Sequence, residues 1–123
     1  MFKIRDLQSK KYILLETYRK NAQPVRTPVW FVIQNDLVYV ITREDTGKVK
    51  RIRQNPKVKL TLCTFKGNPI GEWISGDATK VTGEEAQVAI NLRKKKYGFM
   101  AIIAGFVSRG KGDLVVFSIK LDL

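Results

Sequence analysis

Six short runs of β-branched and aromatic residues, each closed by turn-forming residues, constrain this chain more than any other feature. "YILLETY" (12–18) reads as a strand, with "KNAQP" as the turn after it. "VRTPVWFVI" (25–33) and "LVYVIT" (37–42) follow, joined through "QND". Pro28 cannot donate to a strand ladder, which puts the second strand at an edge or a bulge. "KVKLTLCTF" (57–65) alternates, with Val58, Leu60 and Leu62 on one face. The turn "KGNP" leads to a long strand, "IGEWISGDATKVT", with a bend expected at Gly76, and "DLVVFSIKLDL" closes the chain.

Helical signals are fewer. Residues 2–10 read as a short amphipathic helix with Phe2, Ile4 and Leu7 available to pack. A short helix opens at Thr46-Gly47 and stops at Asn55-Pro56. A longer one spans 84–97, capped by Thr82 or Gly83 with acidic residues in its first turn, and an almost wholly apolar helical segment covers 99–108. A helix after the third of six strands and a helical excursion before the last specify a mainly β fold. The expected architecture is a small six-stranded antiparallel barrel, one domain over residues 1–123.

The chain is 44% hydrophobic, enough to bury a core, and its 23 basic against 11 acidic residues give a net charge of +12. Such an excess calls for a polyanionic partner or a multiply charged anionic ligand. A single cysteine, Cys63, rules out a disulfide framework or a CxxC metal site. The absence of histidine removes Ser-His and Cys-His nucleophile pairs, the usual zinc ligands and the commonest neutral-pH base. Acid–base work by Asp or Glu stays open, and if the chain is an enzyme its hard chemistry belongs to a bound cofactor. "MFKIRDLQSK" is too polar for a secretory signal, and "FMAIIAGFV" is about half the roughly 20 residues a membrane span needs. A reduced, cytoplasmic protein with no membrane partner is expected.

The helix after the third strand runs against a rule. Its first turns carry Lys48, Lys50 and Arg51, where the helix dipole disfavours cations. Free N–H groups at a helix start form an anion site, and nearby cations reinforce it. Thr42 and Thr46 can add hydroxyls, Gly47 permits close backbone approach, and Lys48 and Arg51 at i, i+3 can face one ligand. The alternative is a solvated basic helix partly balanced by Glu44 and Asp45. On the later helix, Arg93 falls within about 20° of Ala86, in one arc with Ile90 and Tyr97. A cation there snorkels, pairs with a carboxylate, or reaches a ligand or partner chain. On "TPVWF" (27–31), Pro28 and Trp30 share one strand face, and Trp30 is either core or the edge of a flat-ring site.

With these residues in view, the run from Tyr12 to Gly98 resembles the split β-barrel flavin and deazaflavin oxidoreductases, relatives of pyridoxamine 5′-phosphate oxidase. "TPVWF", "TGKVKRIRQNP" and a late "KKYG" make it most similar to the deazaflavin-dependent branch. The resemblance implies a homodimeric six-stranded split barrel with two cofactor clefts at the subunit interface. It assigns Thr42, Thr46, Gly47, Lys48 and Arg51 to the cofactor phosphate. Thr27, Pro28, Val29 and Trp30 would line the ring, while Trp73 and the Arg93–Tyr97 segment would come from the other subunit.

FMN and the deazaflavin F420 both suit such a cradle. Six cations and no acid in residues 46–59 favour the more anionic F420. The implied reaction is hydride transfer between the ring and a small organic acceptor, with protons from solvent or a polar side chain such as Tyr97. No catalytic residue is identified by sequence, and no second phosphate-binding set suits pyridoxamine phosphate as substrate. Two other classes remain open: a flavin-binding protein without turnover, and a basic barrel that binds nucleic acid. Against the latter, the aromatics are not arrayed on one exposed face.

Overall fold

The computed structural model of the chain describes residues 3–123. A turn of 3-10 helix, Ile4–Leu7, buries Leu7; Phe2, expected to pack beside it, lies outside the described residues. Seven strands follow: β1 (Ile13–Tyr18), β2 (Pro24–Val29), β3 (Val32–Gln34), β4 (Leu37–Arg43), β5 (Lys57–Leu62), β6 (Ile74–Val81) and β7 (Leu114–Leu121). Three α-helices interrupt them: α1 (Gly47–Gln54) after β4, then α2 (Gly83–Tyr97) and α3 (Phe99–Ser108) between β6 and β7. The seventh strand arises because the expected 25–33 strand breaks at Trp30 and Phe31 into β2 and β3.

That break closes the fold. The antiparallel sheet runs β2-β1-β5-β6-β7-β4-β3, so β2 and β3 are its two edges, yet only two residues separate them in the chain. A sheet whose edges are joined by a two-residue step must curl on itself into a split barrel. Pro28 lies on an edge strand, opposite Leu14, where its missing N–H leaves no gap between neighbours. In β6, Gly76 is buried where an added Cβ would fall 2.8 Å from the Lys120 carbonyl of β7.

Strand alternation separates two apolar layers. Val38 and Val40 of β4, with Val115, Phe117, Ile119 and Leu121 of β7, fill the barrel with Ile13, Leu15 and Leu60. Val49 and Ile52 of α1 plug the same core. The opposite faces of β4 and β7, through Tyr39 and Val116, pack with Ala89 and Tyr97 of α2. Both faces of these two strands are thus covered, which is why they read as nearly continuous apolar runs.

Tyr97 holds the seam. Its hydroxyl accepts from the Phe31 N–H (3.0 Å) and faces the carbonyls of Lys11 (2.8 Å) and Phe31 (3.0 Å), to one of which it donates. Lys96 Nζ also donates to the Phe31 carbonyl (3.0 Å), standing 3.7 Å from the Phe31 ring centroid. Main-chain groups stranded between two sheet edges therefore find partners on α2.

Removing only the phenol oxygen should be costly. Tyr97→Phe is expected to lose about 1–3 kcal/mol in urea unfolding, the usual cost of orphaning a buried polar group. Lys96 supplies a pH test, because burial lowers its ammonium from 10.5 to about 8. Between those values the unfolded chain binds a proton that the folded chain releases, so this group's contribution to stability rises with pH. The stability of the native protein relative to Lys96→Met should accordingly improve from about pH 8 to about pH 10.5; a flat difference over that window would refute the assignment.

Candidate functional site

The start of α1 faces a cleft of about 350 Å³ lined by six of the sequence-nominated residues: Pro28, Val29, Trp30, Thr42, Lys48 and Arg93. Three elements and the seam converge there. The seam brings Trp30, the last residues of β4 bring Thr42, the first turn of α1 brings Lys48, and α2 sends Arg93 across. Trp30 stacks on Tyr97 with ring centroids 4.3 Å apart and planes 8° from parallel, and the Arg93 guanidinium lies 5.7 Å from the Trp30 ring. The indole is therefore half-buried, with a fixed plane, on the cleft wall.

The charge of this cleft is unbalanced. The two ion pairs among the described residues, Arg26–Glu16 and Lys57–Asp77, leave Lys48 and Arg93 without a carboxylate partner. Burial lowers the Lys48 ammonium below the ordinary lysine value, and Arg51 and Lys111 push it further down. Burial likewise lowers Arg93, with Arg43 adding to the effect. Partly buried cations beside further cations are unfavourable alone and become favourable around an anion. Thr46 adds to this by caging no N–H: its hydroxyl donates to the Arg43 carbonyl (2.9 Å), so no side chain caps the first turn of α1. Backbone donors and a lysine then meet at one helix end, the arrangement that holds phosphates.

Other nominated residues are placed differently. Arg51 donates from Nε to Thr17 Oγ1 (2.7 Å), and its guanidinium lies over Gly47, where an added Cβ would fall 2.7 Å from Nη1. It contributes charge near the cleft without lining it, and Gly47 makes room for Arg51. Thr27 is half-buried on β2 and off the cleft wall. Trp73 lies under the Arg26 guanidinium, 4.7 Å from its ring centroid, away from this cleft. Arg93 reaches the cleft of its own chain, so the Arg93–Tyr97 segment need not come from another subunit to act there. Burial pushes the Tyr97 phenol up to about 12 and its one proton bonds a main-chain carbonyl, which disfavours it as a proton source.

Sequence reading passed over Tyr12, Ile41 and Phe65, which complete the wall. Tyr12 and Phe65 meet edge-to-face at 5.9 Å, and Phe65 is largely exposed at the rim. The turn carrying Phe65 reaches this place because Cys63 bridges to Pro69 and Gly67 abuts the Pro28 ring. Only the sheet order reveals that proximity. Arg43 was also missed: it donates to Gly105 O (2.9 Å), Ser108 Oγ (3.2 Å) and Gly112 O (3.3 Å), tying α3 to the end of β4. A second cavity of about 350 Å³ is lined partly by Glu84 and Glu85, with the Tyr39 hydroxyl donating to Glu85 (2.6 Å). Its carboxylates oppose an anionic ligand, and chemistry therefore selects the Lys48 cleft.

The family model described as pyridoxamine 5′-phosphate oxidase matches residues 3–123. The chain belongs to that family. Solved structures share the fold at low identity. The heme storage protein HutZ from Vibrio cholerae is 16% identical with a TM-score of 0.72, covering 93% of this chain and 83% of its own. A structure described as F420 reductase is also 16% identical, with a TM-score of 0.65 and coverage of 97% and 93%. A heme binding protein from Mycobacterium smegmatis is 14% identical with a TM-score of 0.68, covering 92% of this chain and 47% of its own. No protein of curated function matches the sequence significantly. The split barrel is thus shared by proteins with different ligands, and this member's ligand must be argued from its own cleft.

An anion-selective cleft has a simple signature. At matched ionic strength, phosphate should raise the melting temperature of the protein by a few degrees over chloride. Lys48→Met should melt higher than the native protein in chloride and lose the phosphate increment; an increment that survives the substitution would place the anion elsewhere.

Proposed function

We propose that this protein is an oxidoreductase that binds a phosphorylated flavin-type cofactor, F420 or FMN, in the Lys48 cleft, and acts on a small organic hydride acceptor. The observation that carries this reading is the joining of two unlike features in one cleft. An aromatic wall with a fixed plane, Trp30 on Tyr97, stands beside two cations without carboxylate partners, Lys48 and Arg93. A flat ring with a phosphate tail is the ligand chemistry that uses both. When bound, such a cofactor supplies hydride transfer, which needs no histidine.

The chain's own residues would bind and orient. Lys48, Thr42 and the uncapped N–H groups of α1 hold the phosphate, with Arg51 strengthening the local potential. Pro28, Val29 and Trp30 set the plane of the ring, and Phe65 and Tyr12 exclude water from one side. Arg93 reaches the Trp30 face and neutralises charge there. A homodimer is part of this proposal, with Trp73 left available to a surface shared between copies. The six cations of residues 46–59 favour F420 over FMN, since its tail carries more negative charge.

Heme, which two fold relatives are described as storing or binding, finds weaker support here. These 123 residues offer no imidazole, and Tyr12 is the one phenol on the cleft wall. Nucleic acid would use the same net charge, but the cleft aromatics face one pocket and form no open stacking platform.

Calorimetric titration of ligand-free protein with FMN and with F420 tests the reading directly. Saturable binding of either is expected, with Lys48→Glu weakening it about 100-fold or more while far-UV dichroism is unchanged. Binding of neither ligand, or binding indifferent to Lys48→Glu, would overturn it.

A further inference from the structure

α3 is built inside out for a helix of a folded domain. On a helical wheel, Phe99, Met100, Ile102, Ile103, Phe106 and Val107 span an arc of about 160°, and all six are exposed, Val107 by 82% and Phe99 by 74%. The opposite side carries the small residues: Ala101 is buried, while Ala104, Gly105 and Ser108 are half-buried. This orientation is fixed, because Arg43 bonds the inward Gly105 carbonyl and the Ser108 hydroxyl. No described segment of the chain covers the outer face.

The surrounding charge indicates what does. From Ala86 to Gly112 there is no acidic residue, while Arg93, Lys94, Lys95, Lys96, Arg109 and Lys111 supply six cations at the two ends of α3. Lys94, Lys95, Arg109 and Lys111 are exposed, and the Arg109 guanidinium stands 4.4 Å over the exposed Phe106 ring. An isologous contact between two copies through this face would bring those cations near their own images, in chains of net charge +12 each. An anionic lipid surface instead takes up both features at once, apolar face into the acyl boundary and cations among the headgroups.

We propose that α3 is an interfacial anchor, lying in the plane of an anionic lipid surface. Its ten residues make a rod of about 15 Å, and among the described residues no helix is long and apolar enough to cross a membrane. The expectation of no membrane partner rested on that length, and length excludes spanning but not lying flat.

Co-sedimentation of the intact protein with phosphatidylcholine vesicles, with and without phosphatidylglycerol, tests the anchor. Binding at least about 10-fold stronger to the phosphatidylglycerol vesicles is expected, weakening with salt. Phe106→Glu/Val107→Glu should abolish it, and Arg109→Glu/Lys111→Glu should reduce it severalfold, with melting temperatures confirming that both variants fold. A Val107→Trp reporter should shift its added emission to the blue on vesicle binding. The proposal is overturned if the native protein does not sediment with anionic vesicles, or if sedimentation survives the Phe106/Val107 glutamates. A fall in solution mass from dimer to monomer in that same variant also overturns it, by making the face a contact between copies.

Discussion

One phenol at the barrel seam supports the rest of the structure. The chain step from Val29 to Val32 leaves one sheet edge and enters the other, so the Phe31 main chain has no ladder of its own. The Tyr97 hydroxyl accepts its N–H, and Lys96 beside it serves its carbonyl. The same tyrosine backs Trp30 with its ring, so closing the barrel and setting the plane of the cleft wall are one act. Held in this way, the seam can present side chains at fixed angles although two of its residues lie outside any strand.

The cleft is built against stability. Lys48 and Arg93 are partly buried with cationic neighbours and no carboxylate partner, and each is pushed toward its neutral form by burial. A chain selected for stability alone would carry apolar residues or an ion pair there. Retaining the cations makes sense when a ligand brings the missing negative charge, which is the usual tension between stability and function at a site. The barrel tolerates the strain because its interior, from Ile13 to Leu121, is packed without polar intrusion at these positions.

Arg43 joins two regions that sequence keeps far apart. It follows Thr42 at the end of β4, and its guanidinium reaches Gly105, Ser108 and Gly112 while raising the positive potential felt by Arg93. One arginine thereby couples the mouth of the cleft to the orientation of α3. The outward apolar face of that helix is a consequence of this tether and of the small residues beneath it.

Much of the fold could be read directly. Alternation in 57–65, the Thr46-Gly47 and Asn55-Pro56 boundaries of α1, and the Pro28 edge signal depend on local backbone preferences, which act through neighbours in the chain. So did the concentration of cations at the start of α1 and the place of Arg93 in an apolar stripe. The break at Trp30 and Phe31 was not legible, because 25–33 is uniformly β-forming and only barrel closure forces the switch between edges. Arg51 and Gly47 lie off the cleft wall for a related reason: Thr17 on β1 holds the Arg51 Nε, and spacing on one helix cannot show a neighbouring strand. Tyr12 and Phe65 entered the cleft only through sheet order. The sequence by itself determined most of the elements, the excess positive charge and the absence of imidazole chemistry, since these follow from composition and short-range periodicity. The tertiary structure alone decided which cations go without partners and which aromatic face is presented, because both depend on contacts between residues distant in the chain.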